Sequence, residues 1–174
     1  MLDKQPIHIE LCIPNDKELQ KQVWHEIIKR KLSDSVEVWP YSVAESFAPI
    51  KVIHPTSTGE ITDIQTAEVA ALADTAYQQN WLAKEIKHAI KNKTNGYPLP
   101  PGSQPILIKT KHPHVNTLLV APFQYDASQL EPKSVYYAVQ AALKEAQKLG
   151  FHRVALPVLD AENIDQILET IKLF

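Results

Sequence analysis

Two short polar stretches of this chain hold residue types that can share proton-transfer and nucleophilic work. His54 and Ser57 stand three apart in His54-Pro55-Thr56-Ser57-Thr58-Gly59-Glu60, and Asp160 and Glu162 close Pro157-Val158-Leu159-Asp160-Ala161-Glu162. A hydroxyl nucleophile, an imidazole base and an orienting carboxylate make a Ser57–His54–Asp160 relay conceivable, provided the fold brings them within hydrogen-bond reach. A histidine and a serine three apart in one loop need not face each other. The competing reading is a polar rim whose residues shape turns, with Asp160 or Asn163 capping a following helix.

Other chemistry is poorly provided for. His112-Pro113-His114 offers two imidazoles in a turn, but no third ligand is placed by the sequence, so a metal site is not expected. Cys12 is the only cysteine, which excludes a disulfide framework and a cysteine metal cluster. Only 4 glycines occur, against 13 prolines, where ordinary usage would place about 12 glycines. Gly59, Gly96, Gly102 and Gly150 are too far apart for G-x-G-x-x-G or for the G-x-x-x-x-G-K-[S/T] loop. A nucleotide held here is not held in a standard glycine-rich cradle, and no cofactor is implied.

Net charge is −2, with 44% hydrophobic and 22% charged residues, the profile of a globular protein. Lys84, Lys87, Lys91, Lys93, Lys109 and Lys111 face Glu85 alone between residues 84 and 114. A solvated helix face and a lysine-bearing hairpin account for this run. The absence of interleaved aromatic residues argues against a nucleic-acid partner. Met1–Pro6 starts no signal peptide and no apolar run is long enough to span a bilayer, so no membrane contact and a cytoplasmic location are expected.

These candidates must be positioned by regular elements. Ile7–Ile13 alternates apolar and polar residues as a strand does. Asn15 with Glu18 resembles a capping box, opening a helix whose stripe is Leu19, Val23 and Ile27 with Trp24 and Ile28. Strands follow at 36–39 and 50–53, with a helical turn over Ser42–Phe47 between them. After the polar loop, a helix carries Val69, Leu72, Ala73, Ala76 and Tyr77. Asn80 then caps another, with Leu82, Ile86 and Ile90 in line. Strands over 105–109 and 116–121 are joined by the link 110–115 as an antiparallel pair. A long amphipathic helix from Val135 to Leu149 closes on Gly150, strand 153–159 comes next, and Ile164, Ile167, Leu168 and Ile171 line a final helix.

The order β-α-β-β-α-α-β-β-α-β-α predicts an α/β fold, a three-layer α/β/α sandwich with a mixed, about six-stranded central sheet, as one domain over residues 1–174. In such a sheet ligands sit outside the carboxyl ends of the strands, a rim shared by 54–60 and 158–162. Trp39, Tyr41, Phe47, Phe123 and Tyr125 flank strand ends there, and Tyr136 and Tyr137 begin the long helix. Packing explains most of them, and Tyr125 is the best candidate to stack on a base. Trp24 and Trp81 are expected to pack helices on the sheet.

From Val36 onward the chain resembles a macro domain, the α/β/α module that binds ADP-ribose and related nucleotides. The resemblance is carried by Val52–Gly59, which falls where the family's loop reads P-A-N-S followed by glycines. It is also carried by Asn116–Phe123, which ends in Val-Ala-Pro-Phe, and by Ser134–Pro157. It implies a nucleotide-derived small molecule as ligand, and together with the strand-end rim the candidate binding residues are Ser42, His54, Thr56, Ser57, Thr58, Gly59, Glu60, Tyr125, Val158, Asp160, Ala161 and Glu162.

The ligand positions depart from the family's pattern. Ser42 stands for the acidic residue that contacts adenine, and Ser57 for the loop asparagine. Thr62, Asp63 and Ile64 replace the glycines that follow, and Val158, Asp160 and Glu162 replace the glycines of P-G-L-G-T-G. Bulk and negative charge oppose a diphosphate there, at about 4 kcal/mol per like pair 4 Å apart at an effective dielectric of 20. The expectation is a macro-like binding or interaction module with a degenerate site, leaning away from catalysis. The alternatives are a hydrolase of ADP-ribose or its conjugates using substituted loop residues, and a protein-binding scaffold with no small ligand.

Overall fold

The computed structural model describes residues 7–41, 43–46, 48–59, 76–112, 115–123, 134–158 and 164–174, side chains at 44, 76–83 and 110–116 excepted. Six strands form one sheet: β1 (His8–Cys12), β2 (Val36–Trp39), β3 (Ile50–Ile53), β4 (Ile106–His112), β5 (Val115–Val120) and β6 (Arg153–Pro157). Their spatial order is β2-β1-β6-β3-β5-β4, parallel throughout except for β4, which runs antiparallel to β5. The sheet is mixed, as expected.

Four helices are described: α1 (Lys17–Lys29), α2 (Ala76–Thr94), α3 (Ser134–Lys148) and α4 (Ile164–Ile171). They bury the two faces of the sheet separately. On one face Ile9, Leu11, Ile50, Val52, Leu119, Val154 and Leu156 meet Val23 and Ile27 of α1, the apolar side of α3 and Ile167 and Leu168 of α4. On the other, Cys12, Ile53, Leu118, Val120 and Ala155 meet Ile86 and Ile90 of α2, with Val43, Ala48 and Leu99. Strand alternation explains the split, since neighbouring residues point to opposite faces. The result is the expected α/β/α arrangement.

Several local expectations are corrected. Asp16, not Asn15, caps α1: its side chain accepts from the Leu19 amide at 3.0 Å, while Asn15 turns the chain with φ 56°. Asp16 has the extended φ of −139° that an N-cap requires. Asn80 is no cap, because α2 runs through it from Ala76 to Thr94. One middling helix former is a weak stop signal with no glycine or proline beside it. Ala76 and Tyr77, expected in a separate preceding helix, belong to α2, and the rest of that helix, Val69, Leu72 and Ala73, lies outside the described residues.

The β4–β5 strands extend to His112 and from Val115, so their connection is shorter than 110–115. Trp24 and Ile28 face outward, at 40% and 50% exposure, because the buried ridge of α1 is Val23 and Ile27. Gly150, with φ 84°, ends α3 as expected, and the Phe151 amide reaches back to Ala146 O at 2.9 Å. Among the described residues no helix is long and apolar enough to cross a membrane.

Candidate functional site

The parallel strands β1, β6, β3 and β5 are neighbours, so their carboxyl ends converge on one rim. That rim comprises Ile13–Asp16 after β1, Val158 after β6, His54–Gly59 after β3 and Ala121–Phe123 after β5. The structure therefore brings 54–59 and 158 to one end of the sheet, as expected. The segment after β1 was missed as part of it. Its signal was available: Pro14-Asn15 ends the strand that the sequence marks over Ile7–Ile13. Ser42, Glu60, Tyr125, Asp160, Ala161 and Glu162 lie outside the described residues, as do Phe47, Pro113 and His114.

The loop after β3 is held on every side. The Ala121 amide donates to Ile53 O at 2.9 Å and the Phe123 amide to Pro55 O at 3.2 Å, carrying the β3–β5 pairing beyond the strand ends. The Leu99 amide donates to Ser57 O at 2.8 Å, and the Gly59 amide closes a turn on Thr56 O at 2.9 Å. His54, Thr56 and Ser57 are buried, Thr56 Oγ1 and Thr58 Oγ1 are 3.3 Å apart, and Thr58 is exposed. Val158 is buried too, its amide donating to Cys12 O at 3.1 Å.

His54 has a defined protonation pattern. A carbonyl only accepts, so the 2.8 Å contact with Ala121 O makes Nδ1 the protonated nitrogen and leaves Nε2 as the acceptor. Phe123, fully buried, lies 5.8 Å from the imidazole between ring centres. Burial pushes the imidazole down to about 4, against the smaller opposing effect of the Ala121 bond. The ring is neutral at physiological pH and fixed in one tautomer.

Gly59 answers to packing. Its φ is 89°, and a Cβ there would lie 2.8 Å from Lys87 Cα and 3.2 Å from Lys87 N and Cγ. The loop backbone thus rests directly on α2, which only glycine allows. Of the aromatic candidates, Trp39 and Tyr41 meet edge to face at 5.5 Å at the end of β2, with Tyr41 exposed, and Phe123 is core. Tyr136 and Tyr137 are likewise edge to face at 5.6 Å at the start of α3.

A second polar cluster, absent from the sequence expectations, lies toward the other end of the strands. Glu10 is fully buried; its Oε2 accepts from Arg153 Nε at 3.0 Å and from Ser46 Oγ at 3.1 Å. Arg153 also reaches Glu37 at 3.1 Å, and His8 meets the same Glu37 oxygen at 3.2 Å. Lys51, also buried, donates to Ser46 O at 2.8 Å and Ala48 O at 2.9 Å. Burial lowers the Lys51 ammonium, opposed by Cys12 and Glu10, while the hydrogen bond to Glu10 raises Arg153. The signal was a charge inside otherwise apolar strands: Glu10 between Ile9 and Leu11, and Lys51 between Ile50 and Val52. Among the described residues no group of three or more His, Cys, Asp or Glu side chains is arranged to hold a metal.

No family model matches this sequence, and no curated protein matches it. Among solved structures, a mutant macrodomain from Oceanobacillus iheyensis aligns with 76% of this chain and 88% of its own length. The identity is 12% and the TM-score 0.43. The α/β/α assignment itself rests on this chain's strand order and on the two apolar layers either side of the sheet.

Proposed function

We propose that residues 1–174 form a single macro-like binding domain that takes a nucleotide-derived small molecule at the rim, with a degenerate site and no catalysis. The observation that carries this reading is the pinned loop 54–59 at the carboxyl ends of the central parallel strands. That is the place where open α/β sheets hold ligands. Ser42, Glu60, Tyr125, Asp160, Ala161 and Glu162 complete the proposed lining.

A hydrolytic role for His54 and Ser57 is disfavoured. Both are buried, the imidazole is committed through Nδ1, and a base pushed down to about 4 has little drive to take a proton at neutral pH. With His54, Thr56 and Ser57 turned inward, recognition is left to the loop's outer surface, where Thr58 is exposed.

Calorimetric titration with ADP-ribose tests the reading. The expected dissociation constant is about 100 μM or weaker, some 5–6 kcal/mol of binding at most. Micromolar affinity would show that the site is not degenerate. No heat and no amide shift at millimolar ADP-ribose would remove the nucleotide-type ligand and leave the scaffold alternative.

A further inference from the structure

We propose that the lysine face of α2 is the anion-recognising wall of this rim: Lys87, flanked by Lys84 and Lys91, supplies the charge that meets a di- or polyphosphate group over Thr58 and Gly59. This deepens the binding reading above and rests on it for the location of the ligand.

The first observation is contact. Lys87 is the α2 residue on which Gly59 lies, with its Cα, N and Cγ all within 3.2 Å of where a Cβ would be. The stem of this exposed lysine therefore starts beside Gly59, which follows the exposed Thr58 in the chain. The second is alignment. At about 100° per residue, positions 84, 87 and 91 fall within about 60° of arc and span roughly 10 Å along the helix. Ile86 and Ile90 occupy the adjoining buried ridge, which turns the lysine row along the edge of the packed face.

The third observation is charge left unspent. Lys84, Lys87, Lys91 and Lys93 outnumber Glu85 on α2, and none of them forms an ion pair with a described residue. The fourth concerns the amide that a loop glycine would offer to a phosphate. Gly59 N–H already donates to Thr56 O at 2.9 Å, so positive charge at this place has to come from side chains. Lysine serves as a point charge for phosphate without the close backbone approach that glycine loops provide.

Amide-resolved NMR titration of the full chain with inorganic pyrophosphate, and separately with ADP-ribose, distinguishes the sources of the phosphate. Both probes are expected to shift Thr58, Gly59 and Lys87. The Lys84→Gln/Lys87→Gln/Lys91→Gln variant should weaken both at least tenfold and Lys87→Gln alone about threefold, with unchanged thermal unfolding. Lys148→Gln, on α3, should change neither. Raising salt from 50 to 200 mM should weaken binding to the wild type more than to the triple variant.

Pyrophosphate shifts at these residues with ADP-ribose binding no tighter would keep the anion wall and overturn the nucleotide reading. ADP-ribose binding with unchanged affinity in the triple variant would overturn the wall and keep the nucleotide reading. Silence from both probes would overturn both. An oligonucleotide that shifts the lysine row but not Thr58 and Gly59 would reassign the face to nucleic acid and overturn the proposal.

Discussion

The β2-β1-β6 flank and the α2 flank use charge in opposite ways. On the first, Arg153 joins Glu10 and Glu37, and Arg30 bridges α1 to Asp165 and Glu169 of α4 at 2.7 and 2.6 Å, while Lys51 of the adjoining β3 is tied to two carbonyls. On the second, the lysines of α2 have no described carboxylate partner, and the nearest loop has buried His54, Thr56 and Ser57. Charge that is paired inside the sheet specifies how strands and helices dock. Charge that is left in solvent beside a rigid loop is available to a ligand. The paired charges tie elements of the fold to one another, and the unpaired lysines stand beside the proposed site.

This contrast can be broken most strongly at Glu10. Glu10→Ala should lower stability by about 3 kcal/mol, since it removes one partner from a buried ionic cluster. Denaturant unfolding checks this, and Glu10→Gln, which keeps the shape, should lose less. A loss below about 1 kcal/mol for Glu10→Ala would mean that the cluster adds little to the fold.

A comparable effect should come from pH at the rim. The unfolded chain protonates its histidine near 6.5 and the folded chain protonates His54 only at about 4. The unfolded state therefore binds the extra proton between those values, and stability falls as pH drops from 6.5 to 4, by up to about 3 kcal/mol. Above pH 6.5 this contribution is flat. His54→Gln should reduce the slope of unfolding free energy across that window, and an unchanged slope would assign the acid sensitivity elsewhere.

Smaller effects separate the two kinds of glycine. Gly59→Ala meets both a positive φ and the Lys87 backbone and should cost about 2 kcal/mol. Gly150→Ala meets nothing within 4 Å and should cost about 1 kcal/mol, for its φ alone. Equal losses would remove the packing reason for Gly59. Smallest of all, the triple lysine variant of α2 should leave stability within about 0.5 kcal/mol by thermal unfolding. A larger loss would show that those charges already serve the fold.

The fold was legible where periodicity was strong. Ile7–Ile13, the 153–159 run and the stripe from Val135 to Leu149 all marked elements that the structure contains, because apolar faces at fixed spacing have only a few ways to leave water. Boundaries were less so: Asp16 rather than Asn15 caps α1, since which of two adjacent polar residues adopts extended φ is decided by where the chain must turn. The rim was legible through strand ends, which place 54–59 and 158 together. The inward rotation of His54, Thr56 and Ser57 was not, because loop burial depends on tertiary hydrogen bonds such as Leu99 to Ser57 that no local pattern encodes. Gly59, a ligand position in the resemblance, also answers to packing, since it rests on Lys87. The lysines between 84 and 111, one net-positive stretch of sequence, are divided in space. Lys87 of α2 touches the loop at Gly59, while exposed Lys109 alternates with Ile108, which packs against α2, and so faces the other way.

The most direct test of a ligand site walled by lysines is a low-salt ADP-ribose titration of wild type and the triple lysine variant, read at the amides of Thr58 and Gly59. Binding at about 100 μM or weaker in the wild type, and at least tenfold weaker in the variant, is the predicted result. Micromolar binding that survives the lysine substitutions would contradict it.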